Sequence, residues 1–123
     1  MTAVLIVDDD AQVQVAFRRI LEGAGSEVSE ADSGEVALAM LGNGYQPGVV
    51  LLDYQMPDQC GDEVLRRIRA EHPDIPVVMC SGEMTEELGQ RLTAEGAAAC
   101  LEKPAANERL VSLIEELSEE CAG

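Results

Sequence analysis

Five side chains that can bind a metal ion or a phosphate group follow short apolar runs of this sequence. Two aspartates come after the first run, one aspartate after the third, a serine after the fourth and a lysine after the fifth: Asp8, Asp9, Asp53, Ser81 and Lys103. In open α/β sheets the ligand crevice lies beyond the carboxyl ends of the strands. If the apolar runs are strands, these side chains are expected to converge at one edge of a sheet.

Three carboxylates brought together in this way repel one another unless they are protonated or share a cation. A set of oxygen ligands alone suits Mg²⁺, which retains several of its waters. Such an ion would screen an approaching phosphoryl group from the acidic site, and Lys103 would supply a second positive charge. Asp53 could then act as a nucleophile and form an acyl phosphate. The sequence therefore predicts a Mg²⁺-dependent phosphoryl chemistry.

The elements that must position these residues are short strands alternating with helices. The five apolar runs are Val4–Val7, Val28–Ala31, Val49–Leu52, Val77–Cys80 and Ala98–Leu101. The segments between them carry helical spacing, which is typical of a parallel sheet covered by helices on both faces. The third and fourth runs are apolar throughout, as central strands are. Asp10 is predicted to open the first helix and Thr85 to cap the fourth.

Length and charge limit the classes of function. A chain of 123 residues fits one domain, residues 1–123. Its 24 acidic and 8 basic residues give a net charge of −16, which argues against direct nucleic-acid binding. No apolar run reaches the ~18 residues of a membrane span, and the N-terminus lacks the features of a signal peptide. We expect a cytoplasmic chain whose partners are proteins or metal ions, with no membrane contact.

The four cysteines do not form a metal-binding pattern. Cys60, Cys80, Cys100 and Cys121 lie about twenty residues apart, without a C-x-x-C pair. This spacing gives little support to a zinc site, so we expect structural thiols, with Cys80 and Cys100 buried. A redox-sensing role for Cys60 or Cys121 remains the alternative, although nothing nearby indicates a lowered thiolate pKa.

Four fragments, LIVDDD, LLDYQMP, VVMCSG and LEKP, resemble the receiver domain of two-component response regulators in their order and spacing. The resemblance covers essentially the whole chain. It implies a doubly wound, five-stranded parallel sheet of strand order 2-1-3-4-5, in a flavodoxin-like three-layer sandwich. It also implies that Pro104, after Lys103, takes the cis form.

The resemblance assigns Asp53 as the phosphoacceptor, with Ser81 and Lys103 holding phosphate oxygens. The Mg²⁺ ligands that it implies are the acceptor carboxylate, two further carboxylates and one backbone carbonyl: Asp53, Asp8, Asp9 and Gln55. A histidine kinase or a histidine phosphotransfer protein would donate the phosphate. The chain would catalyse only its own phosphorylation and slow dephosphorylation, and it would control a downstream protein partner. It would do so alone or as a module of a longer regulator or hybrid kinase.

The sequence also departs from the family pattern. Receiver domains of this type carry an aromatic residue in the fifth run that follows the hydroxyl of the phosphate-binding residue inward, but Cys100 stands there. A thiol has neither the bulk nor the reach of Tyr or Phe, so the usual readout is not expected. Gln55 and Glu83 border the route of a hydrolytic water and are expected to tune the lifetime of the phosphate.

Three other classes stay open. An aspartate-nucleophile phosphatase of the haloacid dehalogenase type needs a second aspartate two residues after the nucleophile, where Gln55 stands. An interaction module that works without phosphate is disfavoured by the complete set of site residues. A flavodoxin-type redox protein is disfavoured because DDDAQ replaces the phosphate-binding loop, and because aromatic residues are scarce.

Overall fold

The computed structural model describes residues 2–56, 60–103 and 107–122, without the side chains of 107, 108 and 118–122. The predicted conformation of Pro104 lies outside these residues. Five strands alternate with five helices. The strands are β1 (Ala3–Val7), β2 (Glu27–Ala31), β3 (Val49–Asp53), β4 (Val77–Ser81) and β5 (Ala99–Glu102). The helices are α1 (Ala11–Gly23), α2 (Gly34–Gly42), α3 (Gly61–Glu71), α4 (Glu86–Ala94) and α5 (Asn107–Ala122).

All neighbouring strands are parallel, and their order is β2-β1-β3-β4-β5, as predicted. The register aligns the carboxyl ends of the strands: Val7 pairs with Leu52, and Asp53 with Cys80. Ser81, the last residue of β4, pairs with Glu102. The residues at and just after these ends therefore meet at one edge of the sheet.

Two apolar cores cover the two faces of the sheet. One lies between the sheet and α2, α3 and α4, with Leu65, Ile68 and Leu92 among its fully buried members. The other lies between the sheet and α1 and α5, with Phe17 and Leu110 among its members. Every residue of β3 and β4 is buried. The prediction of central strands with helices on both faces is confirmed.

Side-chain caps fix where several helices begin. The Asp10 carboxylate accepts hydrogen bonds from the backbone N–H groups of Gln12 and Val13, and the Thr85 hydroxyl accepts one from Leu88 N–H. Both caps satisfy amide groups that have no partner within the first turn. The two predicted helix starts are confirmed.

Helix α4 is held by few apolar contacts. Leu92 is its one fully buried side chain among the described residues, and the rest of its surface is partly or fully exposed. Cys100, which was expected to be buried, is only partly buried because β5 is an edge strand under this sparsely packed helix. Its thiol sulfur lies 3.8 Å from the carbonyl oxygen of Gly89 in α4.

Candidate functional site

Asp8 is fixed by hydrogen bonds to both its backbone and its side chain. Its N–H donates to the carbonyl of Ala31 at 3.1 Å, which continues the β1–β2 ladder, and its own carbonyl accepts from the side-chain amide of Gln14 at 2.6 Å. One carboxylate oxygen accepts from Asp10 N–H at 2.9 Å. Asp8 is buried, whereas Asp9 beside it is exposed. The turn therefore presents one sheltered and one accessible carboxylate.

Asp53 ends β3 and is 6% exposed. Its Oδ1 accepts a hydrogen bond from Gln55 N–H at 3.3 Å. The start of α3 packs directly over the residue: a Cβ on Gly61 would lie 2.5 Å from the Asp53 carbonyl oxygen and 2.6 Å from Tyr54 Cα. No real Cβ tolerates such distances, so this close approach requires glycine.

Lys103 links the ends of three strands. Its N–H donates to the Ser81 carbonyl at 2.8 Å, and its Nζ lies 2.7 Å from Asp8 Oδ2 and 3.0 Å from Asp53 Oδ1. Burial lowers the pKa of the lysine, but the hydrogen bonds to the two carboxylates outweigh that effect and leave its pKa raised. Burial raises the pKa of Asp53, and the nearby Asp8 adds to this against the opposing bond from Lys103.

Ser81 is buried at the end of β4, but its hydroxyl is engaged locally. The hydroxyl accepts from Glu83 N–H at 3.2 Å and lies 3.3 Å from the Glu83 carbonyl oxygen, to which it donates. Met84, which follows Glu83, is bound to β5, because its N–H donates to Glu102 Oε2 at 3.1 Å. The one hydroxyl hydrogen of Ser81 is therefore used within its own turn.

The three predicted carboxylates form a group that could hold a metal ion. One oxygen from each of Asp8, Asp9 and Asp53 lies within 4.8 Å of the others. Three carboxylates against the one ammonium of Lys103 leave an excess of two negative charges, which a divalent cation would balance. The donor set consists of hard oxygen ligands, as Mg²⁺ prefers. Asp10 is outside this group because its carboxylate caps α1.

The thiols do not resemble reactive cysteines. Burial raises the pKa of Cys80 to about 12 and raises that of Cys100. The pKa of the exposed Cys60 is also raised, chiefly by a hydrogen bond with Asp62. The shifts of these three cysteines are thus opposite to the lowered pKa that marks a nucleophilic thiol, and the side chain of Cys121 lies outside the described residues.

Sequence reasoning missed two contacts at the border of the site. Gln14 ties the Asp8 carbonyl to β2, with its amide also 3.4 Å from the Ala31 carbonyl. Arg91 in α4 donates a hydrogen bond at 2.6 Å to the hydroxyl of Tyr54, the residue directly after Asp53. The position of Gln14 one turn into α1 was a usable signal, but no local pattern links Tyr54 to a residue 37 positions away.

This chain belongs to the response regulator receiver domain family, whose model matches residues 4–115. The chain is similar to the sensor kinase CckA of Brucella abortus, with 32% identity over 94% of this chain and 12% of that protein. It is similar to the two-component response regulator ORR3 of Oryza sativa, with 35% identity over 82% of this chain and 79% of that protein. Members of the family are the phosphoacceptor domains of two-component systems.

Solved structures agree with this assignment. A CheY-like receiver domain protein from Methanospirillum hungatei superimposes with a TM-score of 0.90 and 30% identity, over 99% of this chain and 97% of that one. The chemotaxis protein CheY4 of Vibrio cholerae gives a TM-score of 0.86 and 30% identity, over 95% of this chain and 98% of that one.

Several of the similar proteins are much longer than the matched region. The chain spans 24% of the transcriptional regulator DctD of Rhizobium meliloti and 54% of the transcriptional regulator FixJ of Bradyrhizobium diazoefficiens. Some relatives therefore carry further parts beside their receiver domain. Among the described residues of this chain, no helix is both long and apolar enough to cross a membrane.

Proposed function

We propose that Asp53 is the residue that accepts the phosphoryl group, and that the chain uses it to control a protein partner. The observation that carries the proposal is the position of the Asp53 carboxylate. It lies 3.0 Å from the Lys103 ammonium, within a group of three carboxylates whose oxygens lie within 4.8 Å of one another. A nucleophile, a cation and a set of metal ligands therefore meet at one point.

The proposed Mg²⁺ ligands are the three clustered carboxylates and one backbone carbonyl: Asp8, Asp9, Asp53 and Gln55. When bound, Mg²⁺ would offset the negative charge of the site and stabilise the oxygens of the transferred phosphoryl group. The Asp53 oxygen attacks phosphorus, its new bond forms an acyl phosphate, and the bond from phosphorus to the donor's imidazole nitrogen breaks. Lys103 holds one phosphoryl oxygen through its ammonium.

In this proposal, Ser81 couples phosphorylation of Asp53 to a change in the surface of the chain. A phosphoryl group adds about −1.5 to −2 charges and three acceptor oxygens. The Ser81 hydroxyl would give up Glu83 to donate to one of these oxygens, which would release the turn that now depends on that bond. The loop between β4 and α4 would rearrange, and the neighbouring surface with it.

The partners follow from this chemistry. A histidine kinase or histidine phosphotransfer protein is the proposed donor, and a protein is the proposed target. Turnover of small phosphate esters is not expected, because Gln55 stands where a phosphatase needs a carboxylic acid as general acid. With a net charge of −16 the chain would not itself bind nucleic acid, and we place it in the cytoplasm.

The experiment is phosphorylation by acetyl phosphate with Mg²⁺, followed by intact mass on the wild-type chain and on Asp53→Asn. We expect an acid-stable, base-labile gain of one phosphate that requires both Mg²⁺ and Asp53. A gain that persists in the variant would assign the acceptor elsewhere. No gain in a folded, Mg²⁺-binding chain would favour an interaction module that works without phosphate.

A further inference from the structure

Arg91 in α4 reaches across to both ends of the loop between β3 and α3. Its Nη2 lies 2.6 Å from the Tyr54 hydroxyl, and its guanidinium carbon lies 5.8 Å from the centre of the Tyr54 ring. The same nitrogen lies 3.9 Å from Asp62 Oδ2. Tyr54 opens this loop and Asp62 lies in the first turn of α3. One side chain therefore contacts both Tyr54, the neighbour of Gln55, and the first turn of α3.

The backbone of Tyr54 is tied to the strand ends. Its N–H donates to the Cys80 carbonyl at 2.8 Å, and its carbonyl accepts from Gly61 N–H at 2.8 Å. The start of α3 packs so closely on this turn that a Cβ on Gly61 would clash with the backbone of Asp53 and Tyr54. Tyr54, the residue directly after Asp53, is therefore held through its backbone by β4 and α3 and through its hydroxyl by Arg91 in α4.

Few buried apolar side chains hold α4 in place. Leu92 is its one fully buried side chain among the described residues. A second polar link to α3 lies at the same end of the helix, where Glu95, the residue that follows α4, forms an ion pair with Arg66 at 3.0 Å. Among the described residues, Arg91 is thus the member of α4 with a polar contact to the residue after Asp53.

We propose that Arg91 is a positioning residue for the loop that carries the Gln55 carbonyl, acting through Tyr54, so that Mg²⁺ binding and the order of α4 are coupled. The inference rests on the proposed Mg²⁺ site. By holding Tyr54, and with it the neighbouring Gln55, in one arrangement, Arg91 raises the fraction of molecules that are ready to bind the ion, which lowers the apparent Kd. Coupling between two events is reciprocal, so Mg²⁺ must also make α4 more ordered. This route does not use the fifth-strand aromatic, which Cys100 replaces.

The test uses Tyr54→Phe, which keeps the ring and the net charge and removes only the exposed hydroxyl. Mg²⁺ is titrated into the wild-type chain and the variant, and binding is followed by backbone amide shifts. We expect Kd for Mg²⁺ to rise about threefold or more, the effect of losing one hydrogen bond to a charged group at the surface. Amide exchange in α4 is expected to slow when Mg²⁺ binds the wild-type chain and to change little in the variant.

A matched pair of arginine variants separates positioning from general charge. Arg91→Gln and Arg66→Gln each remove one positive charge from a bridge between α3 and α4, but only the first acts on the acceptor loop. Losing a cation favours Mg²⁺ in both variants. We therefore expect Arg91→Gln to bind Mg²⁺ at least about threefold more weakly than Arg66→Gln, with the α4 response lost only in Arg91→Gln.

The outcomes distinguish this inference from the proposed function. A folded wild-type chain that binds no Mg²⁺ would overturn both. The positioning role alone would be overturned by a different result, in which the wild-type chain binds Mg²⁺ normally. In that result Tyr54→Phe has an unchanged Kd, and amide exchange in α4 does not respond to Mg²⁺. A Kd raised equally by Arg91→Gln and Arg66→Gln would also overturn it, because the effect would then belong to the α3–α4 contact in general.

Discussion

The Lys103 ammonium lies 2.7 Å from a carboxylate oxygen of Asp8, closer than the 3.0 Å that separates it from Asp53. One cation thus serves carboxylates that follow two neighbouring strands. A metal ion that coordinates Asp8 would weaken the ion pair between Asp8 and Lys103. Lys103 would then be available to a phosphoryl oxygen on Asp53, so this ion pair is expected to be exchanged during the reaction.

Replacing Lys103 by methionine should destabilise the chain. Asp8 and Asp53 would stay buried with no cation beside them. In the absence of divalent ions, this should lower the free energy of unfolding by about 3 kcal/mol. Adding Mg²⁺ should recover more stability in Lys103→Met than in the wild-type chain. Urea unfolding with and without Mg²⁺ measures both effects. The exposed Arg19→Met is the control and should change stability by less than about 0.5 kcal/mol; equal stability of the two variants would contradict the prediction.

Asp9→Asn should separate metal binding from folding. Because Asp9 is exposed, the unfolding free energy should change by less than about 0.5 kcal/mol. The Kd for Mg²⁺ should rise about tenfold or more, as expected when a group of the metal site is lost. Asp10→Asn is the matched control, since it removes the neighbouring charge while asparagine still caps α1. Calorimetric titration that finds equal losses of affinity in both variants would exclude a special role for Asp9.

Two glycine substitutions should have opposite effects. A Cβ on Gly61 would meet the backbone of Asp53 and Tyr54, so Gly61→Ala should cost about 2–3 kcal/mol and weaken Mg²⁺ binding. A Cβ on Gly89, in α4, would meet nothing within 4 Å, so Gly89→Ala should stabilise the chain by about 0.5–1 kcal/mol. Urea unfolding checks both values. A harmless Gly61→Ala would mean that α3 can move away from the end of β3.

The buried Cys80 thiol should make stability fall at alkaline pH. Its pKa is raised from 9.0 to about 12, so the folded chain keeps a proton that the unfolded chain loses. This contribution is complete below about pH 9 and is lost as the pH rises towards 12, at up to about 1.4 kcal/mol per pH unit. Urea unfolding between pH 8 and 11 should show a shallower decline for Cys80→Ala. Parallel declines would remove Cys80 as the cause.

The sequence predicted the fold well because its signals were local. Continuous apolar runs identified the buried strands β3 and β4, and the capping residues Asp10 and Thr85 identified helix starts. The positions of four residues at the ends of the predicted strands were enough to predict that their side chains converge. The structure does bring them together: Asp8, Asp9, Asp53 and Lys103. The runs and caps are recognised from neighbouring residues, and the convergence requires only that the carboxyl ends of parallel strands meet at one edge of the sheet.

The missed features depend on side-chain conformation and on contacts distant in sequence. The Ser81 hydroxyl was expected to serve phosphate, but its present bonds are to Glu83, a choice of rotamer that composition does not encode. The bond from Arg91 to Tyr54 needs the position of α4 relative to β3, which few apolar residues determine. The partial exposure of Cys100 likewise reflects how loosely α4 covers the edge strand.

The arrangement of the site has a consequence for how a newly synthesised chain becomes competent. Asp8 leaves the ribosome first and Lys103 almost a hundred residues later, yet their side chains lie 2.7 Å apart. Until β5 joins β4, the clustered carboxylates lack their ammonium and Ser81 lacks the backbone partner that Lys103 provides. A chain still being translated would therefore carry Asp8 and Asp53 without the ammonium that pairs with both of them. The ion pairs and backbone contacts described for the site would be complete only when β5 lies beside β4.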